Sequence, residues 1–201
     1  MNGAILILSG PSGAGKSTII RQASSRIEPY YFSISSTTRA PREGERDGVE
    51  YHFVTREAFE AGIEAGEFLE YAEVHGNYYG TSLVPVLKAL EEGKLVIFDI
   101  DVQGHRLARE RMGEWITSAF ITPPTLAELE RRLRERASDA PEVIEQRLRN
   151  AREEIRAIGE FDYVLINDDI DEATEAFVAL AQTARLKMGT AGRQELIAQW
   201  M

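Results

Sequence analysis

Apolar residues fall into short unbroken runs at positions 4–8, 31–35, 95–100, 119–121 and 163–166, and helically spaced stretches separate most of them. A strand buried on both faces needs such a run, so the pattern predicts an α/β fold: a parallel sheet flanked by helices. Between residues 36 and 82 the texture changes. Segments 51–54, 68–74 and 78–82 are short, aromatic and separated by turns, with a helical piece near 56–65, which predicts a small mixed α+β insert. From 126 to 150 two charged helical pieces flank a polar connector at 137–141, predicting a helical lid. In the helix that follows, Ile144, Leu148, Ala151, Ile155 and Ile158 recur at steps of three and four, which predicts one apolar face turned toward the sheet. Beyond Gly189 and Gly192, the positions of Leu196, Ile197, Trp200 and Met201 predict a short amphipathic helix that docks on the core or on another subunit of a homo-oligomer. The chain thus divides into a core of 1–35, 83–125 and 151–201, an insert of 36–82 and a lid of 126–150.

Composition narrows the choices. A chain of 201 residues supports one sizeable core with small appended parts, and 43% hydrophobic with 28% charged residues is a folded protein's balance. The net charge of −10 disfavours nucleic acid and anionic membranes as partners, because the average field repels polyanions. A small anionic ligand therefore needs a local basic pocket. Cysteine is absent, which excludes disulfides, zinc–thiolate sites and a thiol nucleophile. The apolar start at 4–8 is too short for a signal or a membrane span and lacks a basic leader, so a cytoplasmic protein is expected.

The sharpest local signal is Gly10, Pro11, Ser12, Gly13, Ala14, Gly15, Lys16 and Ser17, which satisfies G-x-x-x-x-G-K-[ST] between a predicted strand and a predicted helix. Glycines let the backbone curl with its N–H groups inward around a phosphate, and the helix N-terminus adds positive dipole. In this motif Lys16 holds the β- and γ-phosphates and Ser17 faces Mg²⁺. Asp99, at the end of an apolar run, is positioned as a second carboxylate on the metal side. The alternative, a tight strand-to-helix turn without a ligand, leaves the lysine and serine in register unexplained. ATP or GTP binding follows, but the acceptor of the phosphate does not.

A second cluster carries acceptor chemistry. Arg39 and Arg42 lie close together in a loop with Pro41 and Gly44, followed by Tyr51; planar guanidinium forks suit bidentate phosphate contacts, and a tyrosine hydroxyl adds a neutral donor. The competing reading is a solvated basic loop whose arginines pair with Glu43, Glu45 and Asp47. Downstream stand Glu70, Tyr78, Tyr79 and Thr81. Guanine presents N1–H and its N2 amino group side by side, so one carboxylate accepts both, whereas adenine has no such pair on that edge. Glu70 is the candidate for that role, with Ser35, Thr81 and Asp101 completing the ring of partners; otherwise Glu70 is a solvent-facing strand residue and the tyrosines are core packing.

The stretches from Gly10 to Thr18, Ser35 to Arg42, Gly76 to Gly80, Asp99 to Gly104 and Asn167 to Asp169 together resemble bacterial guanylate kinases, over essentially the whole chain. The resemblance implies that Ser35, Glu70, Thr81 and Asp101 read guanine and that Arg39, Arg42, Tyr51 and Tyr79 hold the GMP phosphate. It implies that Thr18 joins the ATP loop, that Asn167 lies near the adenine, and that Arg132, Arg136 and Arg147 of the lid close over the ATP phosphates as catalytic groups beside Lys16 and Arg39. Two bland readings stand against this: lid arginines paired with Glu130, Glu135 or Glu145, and Asn167 as a helix cap. The family commonly has glycine at the place of Ala137. The implied activity is transfer of the γ-phosphoryl group of ATP, with Mg²⁺, to GMP and dGMP, in purine nucleotide metabolism.

The implied nucleophile is a phosphate oxygen, largely ionised at neutral pH because its second pKa is about 6. No general base is needed, in keeping with His52, His75 and His105 standing singly. Two other classes share such a frame: scaffold domains that bind phosphopeptides, which usually have a degraded phosphate loop, and kinases for a ribose bisphosphate, which have no use for Glu70.

Overall fold

The computed structural model describes residues 3–42, 44–74, 76–135 and 140–201. In chain order the elements are β1 (Ala4–Ser9), α1 (Lys16–Ala23), β2 (Tyr30–Phe32), β3 (Ser36–Thr37), β4 (His52–Phe53), α2 (Arg56–Glu64), β5 (Phe68–Val74), β6 (Asn77–Ser82) and α3 (Leu83–Glu91). There follow β7 (Leu95–Asp99), α4 (Val102–Met112), β8 (Ile116–Thr122), α5 (Leu126–Glu135), α6 (Pro141–Glu154), β9 (Tyr163–Ile166), α7 (Ile170–Arg185) and α8 (Thr190–Trp200).

Strand β1 is buried along its whole length because it lies at the centre of a five-stranded parallel sheet of order β2-β7-β1-β8-β9. Its alternate residues serve opposite faces. Leu6 and Leu8 join Ile97, Ile121, Ile19 of α1 and Phe177 of α7, while Ile5 and Ile7 join Val96, Phe98, Leu90 of α3 and Ala108 of α4. Burying each such side chain contributes about 1.5–3 kcal/mol over leaving it exposed. Since β1, β7 and β8 run the same way, their carboxyl ends, at Ser9, Asp99 and Thr122, open together on one edge, where ligands bind in sheets of this kind.

The run predicted at 31–35 stops earlier, at Phe32, because the chain leaves this sheet for another. A second sheet of order β4-β3-β6-β5 occupies the 36–82 region, with β3 parallel to β4 and antiparallel to β6. Helix α2, capped by the Thr55 hydroxyl, lays Phe59 between the rings of Phe68 and Tyr78, at centroid distances of 4.1 and 5.1 Å.

Further expectations change. The apolar face of α6 turns to α5 and not to the sheet: Ile144, Leu148 and Ala151 pack on Leu129 and Leu133, because two neighbouring amphipathic helices bury each other's stripes first. The helix ends at Glu154 and tightens into 3-10 turns over Ile155–Glu160, leaving Ile155 exposed and bringing Ile158 beside Phe120 and Phe161. Strand β9, read as a buried run, is an edge strand that buries only Leu165. Helix α8 leaves Leu196, Ile197 and Trp200 exposed, so its apolar residues do not dock on the core.

Candidate active site

The turn from β1 into α1 needs backbone that only glycine adopts without strain. Gly10 has φ +133°, and a Cβ there would lie 2.0 Å from the Ile121 carbonyl oxygen; Gly15, the αL residue that starts α1, has φ +95°. Helix α1 begins at Lys16, so its first N–H groups face the same cleft as the loop. That cleft, of ≈ 520 Å³, is lined by residues 12–18, Arg21, Asp99, Arg132 and Leu133. Lys16 folds back over the loop: its Nζ donates to the Gly10 carbonyl at 2.6 Å and lies 3.6 Å from Asp99 Oδ1. Burial pushes the Asp99 carboxyl above the usual range, and Lys16 pulls it back down. Ser17 and Thr18 follow on the first turn of α1, with Ser17 exposed toward the cleft.

Asn167, just after β9, is 2% exposed and donates its Nδ2–H to the Ala14 carbonyl at 2.7 Å. It does not cap α7; the Asp169 carboxylate does, accepting from the N–H groups of Asp171 and Glu172.

The acceptor candidates gather on and beside the second sheet. Glu70 and Thr81 face each other across β5 and β6, and the Thr81 hydroxyl donates to Glu70 Oε1 at 2.7 Å. Burial, with a smaller push from Asp101, raises the Glu70 pKa, while the Thr81 hydrogen bond lowers it. Among the described residues Glu70 has no ion pair. Asp101 caps α4, accepting from the Gly104 N–H at 2.7 Å, and Ser35 lies half-buried just before β3. Arg39 sits 5.6 Å from the Tyr51 ring, with Tyr79 beside it, and the Tyr51 and Tyr79 rings meet edge to face at 6.0 Å. Arg42 is exposed. The solvated-loop reading is met in one part: Arg39 Nη2 donates to both oxygens of Glu45, at 2.9 and 3.0 Å.

In the lid, Arg132 projects into the phosphate cleft while its Nε–H donates to Glu128 at 2.6 Å, and Arg147 donates to the Ser12 hydroxyl at 2.9 Å. Among the described residues Glu130, Glu135 and Glu145 pair with Arg134, Arg131 and Arg149. Arg136 and Ala137 lie outside the described residues, as does His75. His105 is buried and stacks on Phe161 at 4.1 Å, away from this chemistry, and His52 is part of β4.

Sequence reasoning passed over two carboxylates. Glu45 appeared only as a neutralising partner. Glu154, at the end of α6, is half-buried near Lys16 and Asp101, and burial raises its pKa while Lys16 lowers it. The available signal was its spacing: Glu154 follows Arg147 by seven residues, two helical turns, on the same face of α6.

The family model described as guanylate kinase matches residues 2–183. The guanylate kinase of Sulfurimonas denitrificans is 51% identical over 198 residues, covering 98% of this chain and 96% of the relative. That of Helicobacter hepaticus is 52% identical over 183 residues, 91% of this chain and 92% of the relative. The fold is similar to the crystal structure of guanylate kinase from Anaplasma phagocytophilum, with a TM-score of 0.69 at 35% identity and coverage of 94% of this chain and 89% of that one.

Proposed function

The chain belongs to the guanylate kinase family, and from that membership we propose that it transfers the γ-phosphoryl group of ATP to GMP, and to dGMP, giving ADP and the nucleoside diphosphate. The observation that carries the choice of acceptor is Glu70: a desolvated carboxylate, paired to the Thr81 hydroxyl and to no cation among the described residues. Such a group is costly to bury unless a ligand supplies donors, and the N1–H and N2 amino group of guanine supply two.

In this reading Ser35, Glu70, Thr81 and Asp101 hold the guanine, and Arg39, Arg42, Tyr51 and Tyr79 hold its phosphate. The loop from Gly10 to Thr18 cradles the phosphates of ATP, with Lys16 across the β- and γ-oxygens. Asn167 acts here by bracing the loop through Ala14, next to the adenine end. Phosphoryl transfer asks mainly for in-line alignment and charge neutralisation, because its transition state is loose. Lys16, Arg132, Arg136 and Arg147 meet the second need.

The oxygen donors of Ser17 and Asp99 at one cleft suit Mg²⁺, which keeps several waters and takes only one or two protein groups. Asp99 would fit as a ligand held through water: its carboxylate lines the cleft, and burial raises its pKa by more than Lys16, 3.6 Å away, lowers it. When bound with ATP, the ion neutralises phosphate charge. The core, insert and lid, at residues 1–35, 83–125 and 151–201, 36–82, and 126–150, move as separate parts, closing on the nucleotides and excluding water. No helix is long and apolar enough to cross a membrane among the described residues, and the nucleotide substrates fit a cytoplasmic setting.

The test is ADP release with ATP·Mg²⁺ and GMP, AMP, UMP or CMP in turn. Turnover with GMP alone is the expected result; equal turnover with AMP, or none with GMP, defeats the proposal.

A further inference from the structure

The Arg39 fork is engaged by groups of its own loop. Its Nη2 donates to both carboxylate oxygens of Glu45, at 2.9 and 3.0 Å, and its Nη1 donates to the Ala40 carbonyl at 2.7 Å. Glu45 is tied further into the loop: its Oε2 accepts the Arg42 backbone N–H at 2.7 Å, and its own N–H donates to the Arg42 carbonyl at 3.1 Å. Both side chains are largely buried, 16% exposed for Arg39 and 17% for Glu45. The Arg42 guanidinium is exposed and makes no hydrogen bond among the described residues.

We infer that Glu45 is a positioning residue for the acceptor phosphate: its carboxylate holds Arg39 in place and fixes the loop that carries Arg42. The inference rests on the assignment of Arg39 and Arg42 to that phosphate. Two guanidinium groups serving one dianion repel each other, and the Glu45 carboxylate, paired with Arg39 and accepting the Arg42 backbone N–H, offsets this. Arg39 keeps donors to spare, because a guanidinium has five N–H groups and Glu45 and Ala40 engage only its two terminal nitrogens. The opposite role, a carboxylate that mimics the phosphate and is displaced by it, predicts the opposite effect of substitution. Against displacement stands the Arg42 backbone N–H donated to Glu45 Oε2 at 2.7 Å, which a departing side chain would forfeit.

The experiment compares steady-state kinetics of wild type, Glu45→Gln, Glu45→Ala and Arg42→Ala, with guanosine as a phosphate-free inhibitor. For both Glu45 variants the KM for GMP rises about tenfold, as expected for a lost charge-assisted contact, with kcat within about twofold. The KM for ATP and the inhibition by guanosine stay unchanged. An unchanged or lowered KM for GMP in Glu45→Gln, with Arg42→Ala still raising it, overturns the positioning role alone. Equal weakening of ATP and guanosine overturns it as well, since the damage is then general. If Arg42→Ala leaves the KM for GMP unchanged, the phosphate assignment falls and the inference with it.

Discussion

The Asn167 side chain donates to the Ala14 carbonyl at 2.7 Å across 153 residues of chain, and its amide nitrogen stands 2.2 Å from where a Cβ on Gly15 would be. The end of the sheet and the phosphate loop are thus locked by one buried hydrogen bond. Asn167→Ala leaves the Ala14 carbonyl unsatisfied, at a cost of about 1–3 kcal/mol. Thermal melting should show that loss, and ATP binding by calorimetry should weaken while GMP binding holds. Gly15→Ala adds a clash to a φ of +95° and should remove ATP binding altogether.

Lys16 donates to the Gly10 carbonyl and lies 3.6 Å from Asp99 Oδ1, which keeps its charge at the phosphate loop. Lys16→Met should lower kcat by about 10³, the scale of removing one preorganised cationic donor from a developing charge. GMP affinity, measured by calorimetry, should be unaffected. A kcat within tenfold of wild type would show that the charge is met elsewhere.

Glu70→Gln should lower kcat/KM for GMP by about 10²–10⁴, because an amide presents a donor where guanine needs an acceptor. The same change should stabilise the unliganded protein at neutral pH. Burial raises the folded-state pKa of Glu70 above its ordinary value of about 4.3, so the stability linked to this group is full below that value and is lost as pH rises through the raised one. Melting temperatures of wild type and variant should therefore converge near pH 4 and separate by pH 8, with the variant higher; a constant gap would contradict the linkage.

Arg147 reaches Ser12 from α6, and Arg132 enters the cleft from α5. Arg147→Ala and Arg132→Ala should each reduce kcat by about 10²–10³ with little change in the KM for GMP, since their charge matters most at the transition state. Single-turnover kinetics would separate this from slowed product release.

Closure over both nucleotides should shrink the molecule. Solution scattering with GMP and a non-hydrolysable ATP analogue together should give a smaller radius of gyration than either alone. Unchanged dimensions would count against a moving insert and lid.

Much of this was legible along the chain. Spacing alone marked the loop from Gly10 to Ser17, because its glycines, lysine and serine are contiguous and each has a local task. The core strands β1 and β7 were legible because strands buried on both faces must be apolar throughout. The run at β9 misled: an edge strand with one packed residue reads the same as a buried one. Periodicity likewise showed that α6 has an apolar face but not that α5 would cover it.

The sequence by itself determined the elements, the phosphate loop and the residue types able to read guanine, because those depend on neighbours in the chain. Tertiary structure alone decided which distant polar groups meet. Lys16 with Asp99, Arg147 with Ser12 and Asn167 with Ala14 depend on how the sheet, the phosphate loop and a helical pair come together, and no one-dimensional spacing encodes those distances. The low local dielectric that raises the Glu70 and Asp99 pKa values arises in the same way, from atoms supplied by distant segments.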